Sequence, residues 1–263
     1  MDPRITVRED GALLRITLDR PDRRNAMDAA LVDALDAALD RAERSPDCRI
    51  VVLQGRDGIF CTGMDIAGAA QDTPADDEHT ARRFFALMTR LATVPRIVVA
   101  LVDGQTTGGG VGLAAACDLM FAAPRSSFGL PEGLWGLLPC CVLPFLIRRA
   151  GRQTAYTMSL TTLPLSAAEA ERRGLVDAVD DDPETLLRRV AFRAGKVAPD
   201  VVGDLKTYLT RLRPMPPETE DIAVAELMRL TSSDRVRRNF DAFAADGTFP
   251  WQSSTAPTTR SSD

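Results

Sequence analysis

The chain has 263 residues, 45% of them hydrophobic, enough for one large core or a core with a helical appendage. Its net charge of −5, scattered basic residues and 5% aromatic content argue against nucleic acid as a partner. One histidine and five cysteines without a CxxC pair supply no metal-ligand cluster, no apolar run reaches the ~18 residues of a membrane span, and MDPRITVRED has no apolar signal core, so a reduced, cytoplasmic protein is expected.

Residues 5–8 and 12–18 alternate in polarity around Asp10-Gly11, which predicts a β-hairpin. Asn25 is expected to cap the next segment, with Asp28 in the capping-box position. Leu31, Leu35 and Leu39 recur every four residues and predict an amphipathic helix ending near Ser45-Pro46. Residues 50–53 and 97–102 read as short buried strands, and the helical crossover between them predicts parallel pairing. The stretch 71–79, rich in Asp, Pro and Ala, predicts a mobile surface segment leading into a helix from about Ala81 to Ala92. A glycine-rich turn, a helix through Ala116 and a strand over 119–122 follow. From Cys141 the pattern is mostly helical, over 142–150, 154–160, 166–173, 183–196 and 222–230. The Ser/Thr-rich stretch 253–263 predicts disorder, and there is no internal repeat. The fold class is α/β with a helical C-terminal part.

Three segments carry candidate chemistry: Phe60-Cys61-Thr62-Gly63-Met64-Asp65, Gly108-Gly109-Gly110-Val111-Gly112 and Phe128-Gly129-Leu130-Pro131-Glu132. A glycine triplet at a helix start lets a ligand approach the backbone and leaves N–H groups pointing outward, which suits an oxygen gaining negative charge. No Lys-Ser/Thr follows the glycines and the G-x-G-x-x-G spacing is broken, so both phosphate-binding patterns fail; tight helix–strand packing is the alternative. Glu132 lies among Phe128, Leu130, Leu134 and Trp135, surroundings that raise a carboxyl pKa and suit it to proton transfer; an exposed loop glutamate is the alternative.

Taken in order from about Ile5 to Asp177, these segments resemble the crotonase (enoyl-CoA hydratase/isomerase) superfamily. The landmarks are Asp19-Arg20-Pro21-Asp22-Arg23-Arg24-Asn25-Ala26, the phenylalanine-to-aspartate turn, the glycine triplet with Cys117-Asp118 after it, the Phe-Gly-x-Pro-Glu segment, and Ser166-Ala167-Ala168-Glu169-Ala170 followed by Gly174-Leu175-Val176. The resemblance implies a ClpP/crotonase-like spiral of ββα units over 1–200, a helical region over 201–252 that builds a homotrimer or dimer of trimers, and a tail over 253–263. It also implies that the N–H groups of Met64 and Gly109 hold a thioester carbonyl, that Glu132 moves protons, and that no cofactor or metal is needed. The second carboxylate of many family hydratases matches Gly112, and no acid lies between Gly133 and Ala168 to replace it.

Gly112, the run 132–149 and Thr248-Phe249-Pro250-Trp251 narrow the resemblance to the dehydratases of polyketide β-branching cassettes. Such enzymes are lyases that convert 3-hydroxy-3-methylglutaryl groups on an acyl carrier protein (ACP) to 3-methylglutaconyl thioesters; the handle here is the phosphopantetheine of ACP or of CoA. A single-glutamate isomerase or decarboxylase of the same fold, and a non-catalytic carrier-binding homologue, are the alternatives. Arg82 and Arg83 are candidates for a substrate carboxylate, with Trp135 and open space at Gly112 lining the acyl pocket. Arg148, Arg149 and Arg152 are candidates for an acidic carrier surface or its arm, and solvated helix faces explain either cluster equally well. His79 reads as a surface residue, Cys140 and Cys141 as small buried apolar groups, and Asp118 as structural.

Overall fold

The computed structural model describes residues 4–69 and 74–252. Alternating side chains pair Ile5–Asp10 (β1) with Leu13–Leu18 (β2) in an antiparallel hairpin whose turn begins at Gly11, φ 57°. Helix α1 (Ala29–Arg44) is capped by Asp28, whose Oδ1 accepts from Leu31 N at 2.8 Å. Asn25 therefore does not cap it. Its side chain is buried, accepts from Arg20 N at 2.9 Å and donates to Ile59 O at 2.9 Å, bracing the loop instead.

Strand β3 (Ile50–Gln54), strand β4 (Ile59–Cys61), helix α2 (Ile66–Ala69) and helix α3 (Pro74–Thr93) follow. Helix α3 corrects the expected surface stretch over 71–79. Pro74 opens the helix, where its missing N–H costs no bond, and Asp76 and Asp77 sit in the first turn, where the helix dipole favours acids. Residues 71–73 lie outside the described residues. His79 is exposed on this helix.

The chain continues through β5 (Ile97–Val102), β6 (Gln105–Thr107), α4 (Gly109–Ala116), β7 (Leu119–Ala122), β8 (Ser127–Gly129) and α5 (Glu132–Trp135). Helix α6 (Leu143–Thr161) is broken at Gly151, φ 79° and ψ 160°, which separates the two helices anticipated on either side of it. Then come β9 (Leu165–Ser166), α7 (Ala167–Arg172), closed by a Ser166–Glu169 capping box, β10 (Ala178–Val179) and α8 (Pro183–Ala194). Helices α9 (Pro199–Leu212), α10 (Thr219–Thr231) and α11 (Asp234–Asp246) complete the described chain; the helical region expected over 201–252 is there, while periodicity alone marked only α10 within it.

Two sheets result. The larger has the order β1-β2-β3-β5-β7-β10, parallel throughout beyond β2, with Ile50 opposite Ile97 and Val99 opposite Leu119. The smaller has the order β4-β6-β8-β9, parallel until β9. Each ββα unit adds one strand to each sheet (β3 and β4, β5 and β6, β7 and β8), which is the crotonase spiral. Parallel strands buried on both faces read as continuous apolar runs, as β3 and β5 do. One face of the larger sheet meets α1, α3 and α4; on the other, Ile50, Val52, Val99, Leu101 and Phe121 are covered by α8 through the buried Leu187. No helix among the described residues is long and apolar enough to cross a membrane.

Asp118 is structural. Its Oδ2 accepts from Val98 N at 2.7 Å and pairs with Lys206 Nζ at 2.7 Å, while Lys206 also donates to Arg96 O at 2.8 Å. This contact tethers α9 to the sheet. Removing one member of a buried pair leaves the other charge unbalanced, which costs about 3 kcal/mol. Lys206→Ala should therefore lower the melting temperature by about 5–10 °C, followed by circular dichroism. A shift below about 2 °C would mean that Asp118 finds another partner.

Candidate active site

Strand β4 ends at Cys61 and runs into Gly63, φ 89°, which turns the chain away from the small sheet. The landmark segment around Asn25 pins this turn: Met27 N donates to Gly63 O at 2.7 Å and Asp65 N to Met27 O at 2.8 Å. Asp65, nearly buried, pairs with Arg20 Nη2 at 3.1 Å and accepts from Gly68 N at 3.1 Å. Met64 lies between these anchors, and its amide N–H has no intramolecular acceptor among the described residues.

The glycine triplet meets the same turn from the other side. Gly108, φ 54°, donates its N–H to Gly129 O of β8 at 2.9 Å. Gly109 opens α4, and its N–H is likewise without an intramolecular acceptor among the described residues, as the first turn of a helix dictates. The two turns touch: a Cβ built on Gly63 would lie 3.3 Å from Gly109 N. Two segments distant in the chain thus come together, each with an unused amide among the described residues.

Glu132 completes that region. It opens α5 directly after Pro131, and its carboxyl lies over the glycine turn, where a Cβ on Gly108 would be 3.1 Å from Glu132 Oε1. Glu132 Oε2 is buried without a hydrogen-bond partner among the described residues. Burial pushes the carboxyl up to about 7, only partly offset by a backbone N–H. The arrangement offers two hydrogen-bond donors for a developing oxyanion beside a carboxyl that exchanges its proton near neutral pH.

The other sequence-derived candidates have different occupations. Gly112 offers no open space: a Cβ there would lie 2.9 Å from both Met88 Sδ and Val142 Cγ2, so protein side chains already fill the position. Trp135 is 5% exposed and lies among aromatic rings of the C-terminal segment. Arg82 is committed to Glu78 at 3.0 Å and Asp221 at 2.8 Å, and Arg83 pairs with Asp33. Arg148 Nη2 donates to Ala116 O at 3.0 Å. Arg149, 8% exposed, donates to Leu175 O at 2.7 Å and Cys117 O at 3.0 Å and pairs with Asp177. Both hold α6 against the end of α4, because carbonyls at a helix end need donors. Only Arg152 of that trio stands exposed without such a tie. Cys140 and Cys141 are buried, and burial pushes their thiols up to about 11 and about 12.

Successive ββα units that lay one strand in each of two sheets define an enzyme of the crotonase fold. Residues 8–254 match the enoyl-CoA hydratase/isomerase family. Bacillaene synthase dehydratase PksH of Bacillus subtilis (strain 168) is 31% identical over 250 residues, 94% of this chain and 96% of that protein. The solved polyketide biosynthesis enoyl-CoA hydratase (pksH) from Bacillus subtilis superimposes with a TM-score of 0.86 at 30% identity, covering 94% of this chain and 98% of that one. An enoyl-CoA hydratase from Mycobacterium avium superimposes with a TM-score of 0.83 at 30% identity, covering 96% of this chain and 100% of that one. The chain belongs to the enoyl-CoA hydratase/isomerase family.

The Glu132 carboxyl makes stability depend on pH. Its folded value of about 7 exceeds the ordinary 4.5, so the native state binds the proton more tightly than the unfolded chain. That stabilisation is full below 4.5 and is lost as pH rises through about 7. Glu132→Gln does not titrate, so its melting temperature relative to the wild type should rise between pH 4 and pH 8. Thermal unfolding of both proteins across that range checks the sign, and a constant difference would contradict a raised carboxyl.

Proposed function

We propose that the chain is a hydro-lyase acting on β-hydroxyacyl thioesters, with its substrate carried on phosphopantetheine. The observation that carries this reading is the buried, unpartnered Glu132 Oε2 beside the unused amides of Met64 and Gly109. Met64 N–H and Gly109 N–H hold the thioester oxygen. Glu132, as carboxylate, takes a proton from the carbon next to the thioester, and the two amides stabilise the enolate. The bond from the β-carbon to the hydroxyl then breaks as the electron pair returns to form the alkene. The departing oxygen takes the same proton from Glu132 and leaves as water, which restores the carboxylate. One carboxyl serves both transfers, on one face of the substrate.

For the acyl group we favour 3-hydroxy-3-methylglutaryl on an acyl carrier protein, giving the 3-methylglutaconyl thioester of polyketide β-branching. The similarity to PksH over nearly the full length supports it, together with a glycine where two-glutamate hydratases have an acid. Mass spectrometry of the 3-hydroxy-3-methylglutaryl carrier protein after incubation with the enzyme tests this directly. Loss of one water is the expected result; double-bond migration or loss of CO2 would favour isomerase or decarboxylase chemistry instead.

Glu132→Gln should keep thioester binding while single-turnover dehydration falls about 10²–10⁴-fold. The wild-type kcat/KM should rise with pH through about 7 as Glu132 becomes the base. Turnover within a few-fold of wild type in this variant, with binding intact, would remove Glu132 from the mechanism.

We also propose self-association, in a trimer or dimer of trimers, through α9. Val201, Leu205, Tyr208, Leu209 and Leu212 recur on one face of this helix and are all more than half exposed, a stripe too long for a solvated surface. The double change Leu205→Asp, Leu209→Asp should convert the oligomer to monomers in sedimentation velocity. An unchanged sedimentation coefficient would exclude this face.

A further inference from the structure

The C-terminal segment does more than follow the spiral. Trp135, three residues beyond Glu132, is surrounded by rings from the end of the chain: Phe243 at 5.3 Å, Phe240 and Trp251 at 5.8 Å and Phe249 at 5.9 Å between centroids, all edge-on. Phe249 and Trp251 in turn stack at 4.7 Å. Backbone ties accompany the rings. Asn239 Nδ2 donates to Trp135 O at 3.0 Å and Arg235 Nη2 to Gly136 O at 3.4 Å. Gly136, φ 86°, ends α5 with the Arg235 guanidinium lying where its Cβ would be. Ile66, two residues beyond Met64, packs into the same cluster, which adjoins the main core through Leu227 and Leu230. One small cluster therefore holds both the turn that presents the Met64 amide and the short helix that carries Glu132.

We propose that α11 and the segment 248–251 form a positioning element for the site, with Trp135 and Phe243 as the positioning residues that keep the Glu132 carboxyl seated over the glycine turn. Helix α5 spans only residues 132–135, too short to be stable by itself, so its orientation comes from what packs on it. Within α5, Trp135 is the buried apolar side chain and provides that packing. On α11, Phe243 touches both Trp135 and Phe249. Neither ring touches the substrate in this scheme. Their effect reaches the reaction through the place and dryness of one carboxyl, where displacements of about 1 Å are costly. The inference rests on the role assigned to Glu132.

The test uses full-length Trp135→Ala, Trp135→Phe and Phe243→Ala, with Glu132→Gln as reference. Infrared titration of the protonated carboxyl, taken as each protein minus the same protein carrying Glu132→Gln, reports the Glu132 midpoint without any substrate. We expect a midpoint near the wild-type value of about 7 in Trp135→Phe, and a fall of about one pH unit or more in the two alanine variants as water reaches the carboxyl. Dehydration kcat should fall about tenfold in the alanine variants with KM within about threefold, and Trp135→Phe should restore most of it. Folded alanine variants that titrate and turn over like the wild type would overturn the proposal, as would lowered melting temperature with an unmoved midpoint. If Trp135→Ala does not fold, Phe243→Ala decides the matter from the other side of the cluster. Should Glu132→Gln turn over like the wild type, the proton-transfer reading fails, while the titration still decides whether the rings seat the carboxyl.

Discussion

Helix α4 begins against bare backbone. A Cβ at Gly110 would come within 2.4 Å of Cys61 O, so the first turn of the helix lies on strand β4 at a distance only glycine permits. The geometry of the site follows from this contact. It draws the Gly63 turn against Gly109, and it aligns the start of a helix, where amides are necessarily unpaired, with a turn whose amide has left the sheet. Two turns that each carry an unused amide among the described residues lie together because two backbones touch.

Charge is distributed to serve the same end. Arg20 clamps Asp65 beneath the Met64 turn, Arg96 donates to the carbonyls of Ala42, Glu43 and Ser45, and Arg149 gathers the carbonyls of Cys117 and Asp118 after α4. In a chain of net charge −5, these arginines act as internal staples for backbone oxygens. Among the described residues none pairs with Glu132, whose surroundings are dominated by burial. The contrast separates two carboxylates with opposite uses: Asp65 has a cation and a backbone amide to hold it, whereas Glu132 keeps an oxygen free. An acid that must both take and return a proton is better served by the second environment.

Position 112 shows how packing alters the meaning of a missing residue. Where a second carboxylate would stand, Met88 and Val142 close over Gly112, so the chain has replaced an acid with apolar packing rather than with room for substrate. A one-carboxyl site is then a consequence of the core as much as of the catalytic machinery.

Much was legible in the sequence. Continuous apolar runs marked β3, β5 and β7, four-residue leucine spacing marked α1, and the ordered glycine and glutamate segments marked the family. The small sheet was not legible, because β4, β6, β8 and β9 have two or three residues each and owe their existence to partners far along the chain. Helices α9 and α11 did carry signals, Pro199 at the first position of one and Val236, Phe240 and Phe243 at helical spacing in the other. The arginine candidates misled for a related reason: a guanidinium binds a carbonyl, a carboxylate or a carrier surface equally well, and only the fold decides which is within reach. The sequence by itself determined which backbone positions could turn, which faces had to be buried and which carboxyl lay among apolar neighbours, since these depend on residue type and short-range spacing. The tertiary structure alone decided that the Gly63 turn meets Gly109, that Gly112 is filled, and that the segment 240–251 returns to enclose Trp135, since each depends on contacts between segments that local preferences do not link.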